Sequence, residues 1–264
     1  RAAAAIALLA ALFHTVNHAL FKTLLFLVTG AIERMVGRVD LASLGGLLAA
    51  APRLGWSFLV GAAAIAALPG LNGFVSEWLT LQAMLGGGQI FAGPAHVSWP
   101  ALVALAVTVP GLAGAFAMTG MAFVKLSGDC LLGRPRTRPA RGRPTGTVTA
   151  VPVALAVACA VLGVQPWLLL GWLGTAVDQV LPLGGLAGQG AVAAGQGAVT
   201  AGPGGLAVRA GGHAASLPVA PLLALWVVPA LLAVAAGARR VRRPVWAGGG
   251  AYDAATMQPS GRLF

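Results

Sequence analysis

Long apolar runs separated by shorter polar segments dominate the chain. Five of these runs reach the roughly 20 mainly apolar residues that a helix needs to cross a bilayer. The five runs cover residues 3–32, 55–85, 100–126, 147–170 and 217–238. The pattern therefore predicts an all-α protein, a polytopic bundle of about five transmembrane helices.

The composition supports a membrane protein. Hydrophobic residues make up 58% of the chain, charged residues 9%, and the mean hydropathy is +0.86. A soluble domain typically has about 25% charged residues, so a soluble enzyme and a disordered tail are both excluded. The two cysteines, Cys130 and Cys159, lack the spacing of a metal site or a disulfide framework. Cys159 lies in an apolar run, where we expect an inert buried thiol.

The net charge of +11 comes from arginines placed beside the apolar runs. Segments 134–143 and 239–243 hold five and four of the 15 arginines, and 34–53 holds three more. Such clusters indicate loops on the cytoplasmic side and suit anionic lipid head groups, so we do not expect nucleic-acid binding. Alternation of five spans puts these three loops on the same side, with Arg1 outside and Phe264 inside.

The first span carries a polar stripe on an otherwise apolar helix. His14, Asn17, His18 and Lys22 fall within about 140° of one helix face, and His14 to Lys22 climbs about 12 Å. Lipid cannot satisfy these donors, so the stripe must face protein or water. Histidine exchanges protons near neutral pH, which favours a ladder of groups that passes protons.

Three other interpretations of the stripe stay open. The polar side chains could serve only to form hydrogen bonds between helices. His14 and His18, four residues apart, could bind a metal, although no third ligand stands nearby in the sequence. Lys22 could extend to the interface, but it lies near the middle of the span.

The second span is interrupted in its middle. Pro69, Gly70 and Gly73 stand within five residues, with Asn72 between them, and proline removes one helical hydrogen bond and blocks another. We therefore expect two half-helices joined by an unwound segment, a device that membrane transporters use to build ion sites. Glu77 follows the break by about one turn. It is predicted to exchange protons, or alternatively to cap the second half-helix.

Two further regions have two interpretations each. Lys125 ends the third span, where it is either an anchor at the interface or part of a proton exit path. Residues 183–216 are rich in Gly and Ala, and the sequence at 187–192 recurs at 194–199. We expect a flexible external insertion there, with a small-residue helix as the alternative. The chain also begins inside an apolar helix, which suggests a fragment that lacks its N-terminal part.

Two motifs resemble a known family. Residues 14–27, HTVNHALFKTLLFL, and 67–78, ALPGLNGFVSEW, are similar to consecutive helices of the antiporter-like membrane subunits. These subunits are shared by respiratory complex I, Mrp-type cation/proton antiporters and membrane-bound hydrogenases. Segments 123–136 and 245–252 resemble the branch formed by the corresponding subunits of hydrogenase-4 and formate hydrogenlyase. Gly249 stands where that branch has a cysteine, and the Gly/Ala-rich insertion is not a family feature.

The resemblance implies roles for the polar residues. His14, His18 and Lys22 would form a central relay, and Glu77 the terminal proton-exchanging group of a half-channel. The earlier spans that the family requires would hold a further Glu and Lys. Redox energy from a partner module would shift the charge state of these residues. Protons would then be taken up on one side of the membrane and released on the other.

The implied organisation is a proton-translocating half-channel portion over residues 1–130 and a C-terminal membrane region over 131–264. The implied partners are other membrane subunits, a peripheral redox module and the lipid bilayer of a bacterial inner membrane. We expect no metal and no redox cofactor in this chain, because two distant cysteines cannot supply an iron–sulfur site. A cation/proton antiporter subunit and a purely structural membrane anchor are the alternative functions.

Overall fold

The computed structural model describes residues 2–37, 40–41, 44–85, 99–132, 144–181, 197–202, 205–210, 213–218, 221, 224–225 and 228. In chain order, the helices are α1 (Ala2–Val36), α2 (Leu47–Ala50), α3 (Pro52–Ile65), α4 (Asn72–Met84), α5 (Trp99–Leu131), α6 (Thr147–Val164) and α7 (Trp167–Val180). The strands are β1 (Gly197–Gly202), β2 (Gly205–Ala210) and β3 (His213–Leu217).

Helix α1 is the central element of the bundle. It packs against α3, α4, α6 and α7, and its 35 residues form one uninterrupted helix. The absence of Pro from this run and its many Ala and Leu residues favour such a helix. The first predicted span is confirmed, and it continues four residues beyond Ile32.

The second predicted span is a broken helix, as expected. Helix α3 ends at Ile65 and α4 begins at Asn72. At the end of α3, the N–H of Leu68 donates to the carbonyl oxygen of Ala63 (2.9 Å). The N–H of Ala67 donates to that of Ala64 (3.2 Å). This pair of bonds, with Ala67 in the left-handed region (φ 51°), is the Schellman arrangement that closes a helix.

A tight turn then redirects the chain into α4. The N–H of Leu71 donates to the oxygen of Leu68 (3.2 Å), and Gly70 has φ 90°. Pro followed by Gly at the two central positions is the sequence of a type II turn, whose third residue needs a positive φ. The Pro–Gly pair therefore explains why the break has a defined shape.

Glycines let neighbouring backbones approach the break. A side chain at Gly73 would collide with the carbonyl oxygen of Ala64 at the end of α3. A side chain at Gly163 on α6 would collide with the backbone of Gly70 and Leu71. Protein backbone therefore packs closely against one side of the break, and contact with protein is what lets irregular backbone be tolerated at membrane depth.

Three helices in the described part of the chain are long and apolar enough to cross a membrane. They cover Ala4–Val36, Leu102–Leu131 and Thr147–Val164, and correspond to the first, third and fourth predicted spans. Each half of the broken span is shorter than the 18 residues required for such a span. The predicted fifth span lies largely outside the described residues, as do the arginine segments at 134–143 and 239–243.

The fourth span ends earlier than predicted. Helix α6 stops at Val164, and α7 starts at Trp167 after Pro166. Proline disfavours helical geometry in the preceding residue, and Gln165 accordingly has φ −124° and ψ 59°. The apolar run through Leu170 is therefore two helices and not one span, which corrects the predicted boundary.

The Gly/Ala-rich insertion contains regular structure where we expected flexibility. Strands β1, β2 and β3 form an antiparallel sheet in that order, so neither a flexible loop nor a helix describes residues 197–202, 205–210 and 213–217. Val208, Ala215 and Leu217 are buried against α1, α4 and α7. The strands were not predicted, because their short alternation of small and β-branched residues lies in a segment whose residues differ little in hydropathy.

The core consists of two hydrophobic clusters stacked along α1. One contains the α1 residues from Phe21 onward with parts of α3 and α6. The other contains α1 up to Phe13 with α4, α7 and the sheet. Residues 14–18, which carry the polar stripe, lie between the two clusters. We call the polar residues at this level of α1 and α4 the polar layer.

Candidate functional site

The polar stripe of α1 divides between a buried and an open side. Asn17 is fully buried and His14 is half-buried, whereas His18 and Lys22 are exposed. The rings of His14 and His18 lie 6.0 Å apart, and His18 contacts Phe21 edge to face at 5.4 Å. The predicted stripe therefore exists, but only its first half is enclosed by the described residues.

Asn17 and Asn72 join α1 to the start of α4 through two hydrogen bonds. Asn17 Nδ2 donates to the backbone oxygen of Asn72 (3.0 Å), and Asn72 Nδ2 donates to Asn17 Oδ1 (3.1 Å). The backbone oxygen only accepts, so it fixes the orientation of the Asn17 amide, and that in turn fixes the Asn72 amide. Asn72 is therefore more than part of the helix break: it places α4 at a defined height on α1.

The same arrangement leaves one buried acceptor at the break. Asn72 Oδ1 has no hydrogen-bond partner among the described residues. Turning the Asn72 amide over would lose its bond to Asn17, so the oxygen stays where it is. The Asn72 side chain also lies within hydrogen-bonding reach of Cys159 on α6, a thiol that is fully buried as expected.

His14 contacts α4 one turn further along. His14 Nδ1 and Ser76 Oγ are 3.0 Å apart, and Ser76 Oγ donates to the carbonyl oxygen of Gly73 (2.9 Å). Ser76 is fully buried. Sequence reasoning did not select Ser76, although its neighbour Glu77 was selected, because nothing in the local pattern shows which α4 residue faces His14.

Glu77 follows Ser76 and is half-buried. Its Oε2 atom is buried and has no hydrogen-bond partner among the residues that the structure describes. Because Ser76 contacts His14, Glu77 lies at about the level of His14 on α1. The polar layer thus combines a histidine, a hydroxyl, two amides and a carboxylate between two apolar clusters.

Lys22 is not brought into contact with Glu77. It stands eight residues after His14, about 12 Å along the α1 axis, on the exposed side of the helix. His18 lies between Lys22 and His14 on that side. The structure therefore places the relay residues in the predicted order along α1, with Lys22 and His18 open and His14 at the α4 contact.

Lys125 lies apart from the polar layer. It is half-buried near the end of α5, a helix that packs against α2, α3 and α4. Asp129, one turn later, is buried, and its Oδ2 lacks a partner among the described residues. Sequence reasoning passed over this carboxylate because it stands at the end of the span, beside the arginine segment.

The described residues contain no group of three or more His, Cys, Asp and Glu side chains that could hold a metal ion. A metal site formed by His14 and His18 therefore gains no support from the residues around them. That the chain holds no redox cofactor stays a prediction.

Comparison with known proteins identifies relatives of a large part of the chain. Residues 2–102 match the family described as NADH:quinone oxidoreductase/Mrp antiporter, TM. Formate hydrogenlyase subunit 3 of Escherichia coli K12 is 39% identical over 169 residues, which cover 62% of this chain and 27% of that protein. Hydrogenase-4 component B of the same organism is 38% identical over 168 residues, covering 62% and 24%.

The fold also has a solved counterpart. A chain in the Mrp complex from Dietzia sp. DQ12-45-1b superposes with a TM-score of 0.53 and 25% sequence identity, covering 66% of this chain and 38% of that chain. The resemblance that the two motifs indicate is confirmed over the matched residues. The chain spans about a quarter of the length of the two curated relatives.

Proposed function

Because residues 2–102 carry the membrane region of the NADH:quinone oxidoreductase/Mrp antiporter family, we propose that the chain translocates protons. It would do so within a complex related to hydrogenase-4, formate hydrogenlyase or NADH:quinone oxidoreductase. The observation that carries this proposal is the polar layer, in which His14 contacts Ser76 beside Glu77. Titratable groups enclosed between apolar clusters at a broken helix suit proton transfer across a membrane.

Each residue has a role in this proposal. Lys22 and His18 exchange protons on the open side of α1, and His14 carries them to the α4 contact. The Ser76 hydroxyl donates to the carbonyl oxygen of Gly73 and accepts from His14, so it holds the His14 ring at α4 without itself carrying the proton. Glu77 is the terminal exchanging group, and its buried Oε2, which has no hydrogen-bond partner in the described part of the chain, supports this role. Lys125 serves the exit path, at a distance from the polar layer.

The surroundings follow from the same proposal. The chain is a multi-pass membrane protein, and we place it in a bacterial inner membrane with the arginine segments and C-terminus in the cytoplasm. Its partners are other membrane subunits and a peripheral redox module, which supplies the electron-transfer chemistry. The two curated relatives are, by name, a subunit and a component of larger assemblies.

The test uses inverted vesicles that contain the full-length protein in its complex. Glu77→Gln removes the exchangeable carboxylate and keeps its shape, and we expect proton uptake driven by formate or NADH to fall by about 100-fold. Glu33→Gln is the matched control, because Glu33 is exposed near the end of α1 and outside the polar layer. Native gel electrophoresis checks assembly. Normal proton uptake by an assembled Glu77→Gln complex would overturn the proposal.

The similarity to the Mrp structure favours a cation/proton antiporter subunit as the second candidate. Proton movement that requires Na⁺ and no electron donor in the same vesicles would support it. Lys22→Met separates both transport functions from a structural anchor. We expect it to stop proton movement in an assembled complex, whereas loss of assembly with normal transport in the remaining complexes would indicate an anchor.

A further inference from the structure

An apolar groove runs along the outer face of α3 and ends at the break. Its volume is about 470 Å³, and it is lined by Trp56, Leu59, Val60 and Ala63 together with the Leu68–Leu71 turn. Apart from the indole N–H of Trp56, the side chains that line it are apolar. The opposite face of α3 packs on α1, where Gly61 lies against Leu24 and Leu25. The groove therefore faces away from the polar layer.

The groove and Arg53 beyond its outer end together span about the depth of one bilayer leaflet. Its α3 residues are spaced three, four and seven apart from Trp56, so they form a single stripe on the helix. Arg53 stands three residues before Trp56 and extends this stripe. From Arg53 to Ala63 the helix rises about 15 Å, which equals half of the roughly 30 Å hydrocarbon core.

The two ends of the groove differ in chemistry. At one end Arg53 is exposed and Trp56 is 62% exposed, a pairing typical of the membrane interface. At the other end the Pro69–Gly70 turn closes the groove. A positive charge at the surface and an apolar channel toward mid-membrane match the head group and tail of one anionic phospholipid.

We propose that this groove binds an acyl chain of an anionic phospholipid, whose phosphate lies at Arg53. The tail packs on the α3 stripe and reaches the turn that shapes the broken helix. A transmembrane helix of a partner fits less well, because such a helix crosses the whole bilayer whereas the groove ends halfway. The inference depends on membrane insertion and not on proton transfer.

Trp56 provides the reporter for a test. The full-length protein is reconstituted in phosphatidylethanolamine vesicles with increasing mole fractions of either phosphatidylglycerol or phosphatidylcholine, each brominated near the glycerol end of the acyl chain. Fluorescence lost in the Trp56→Phe variant defines the contribution of Trp56. We expect half-maximal quenching of that contribution at about fivefold less phosphatidylglycerol than phosphatidylcholine, the preference expected from one arginine near the surface.

Two variants and two controls separate the causes. Arg53→Gln should abolish the head-group preference, whereas Arg34→Gln, an exposed arginine at the end of α1, should leave it intact. Ala63→Phe fills the groove and should reduce quenching by both lipids, whereas Val107→Phe on exposed α5 should not. Equal quenching by the two lipids would overturn the proposal. Absence of quenching by either lipid would also overturn it and would indicate that a protein helix covers the groove.

Discussion

At the scale of single residues, the pairing of Asn17 with Asn72 sets the position of every proposed proton-transfer group on α4. These residues are 55 positions apart, and their amides occupy the layer between the two hydrophobic clusters. The sequence predicts that the polar Asn17 lies within a transmembrane span and that Asn72 lies at a helix break. It does not predict their contact, because local spacing does not fix how far α4 is shifted along α1.

Leucine substitutions should show that the two asparagines act as a unit. Asn17→Leu leaves the Asn72 amide without its acceptor, and we expect a loss of about 1–3 kcal/mol of stability. In the Asn17→Leu protein, adding Asn72→Leu should reduce stability by much less than Asn72→Leu does in the wild type, because the partner of Asn72 is already gone. Heat-induced unfolding of the purified complex measures both effects. Thr15→Val is the control, since the Thr15 hydroxyl bonds within its own helix; additive losses for the pair would contradict the expectation.

At the scale of elements, the broken second span was predictable because Pro and Gly act on the backbone of their own segment. Pro69 and Gly70 form the turn, and the half-helices follow from it. The interruption at Pro166 obeys the same rule but was not predicted, because the apolar run continued through it. The sheet could not be predicted from the sequence of residues 197–217, since Gly and Ala give nearly the same hydropathy on both faces of a strand.

The end of α3 offers a stability test that depends on one torsion angle. Ala67 has φ 51°, a conformation that costs residues other than glycine about 1–2 kcal/mol. Ala67→Gly removes that cost, so we expect a higher unfolding midpoint. Ala66→Gly, one residue earlier at φ −83°, has no such cost to relieve and should lower the midpoint by adding freedom to the unfolded chain. Equal effects of the two variants would show that Ala67 is not strained.

At the scale of the whole molecule, the sheet closes the end of the bundle where α1 begins and α4 ends. The Gln82 side chain pairs with β3 as a neighbouring strand would: Gln82 Nε2 donates to the oxygen of Ser216 (2.6 Å), and the N–H of Ser216 donates to Gln82 Oε1 (2.8 Å). Trp78 Nε1 donates to the same Ser216 oxygen (2.8 Å). Helix α4, which carries Glu77, therefore also holds the sheet.

This double attachment determines how Gln82 variants should behave. Gln82→Leu loses both bonds, whereas Gln82→Glu keeps an acceptor for the Ser216 N–H but can no longer donate to its oxygen. We therefore expect amide hydrogen exchange at residues 213–217 to rise by about tenfold in Gln82→Leu, and by less in Gln82→Glu. Gln165→Leu, an exposed glutamine at the α6–α7 junction, should leave that exchange unchanged. If exchange in Gln82→Leu stays at the wild-type rate, the Gln82 bonds do not hold the sheet, and the Trp78 bond and the burial of Val208 and Leu217 are sufficient.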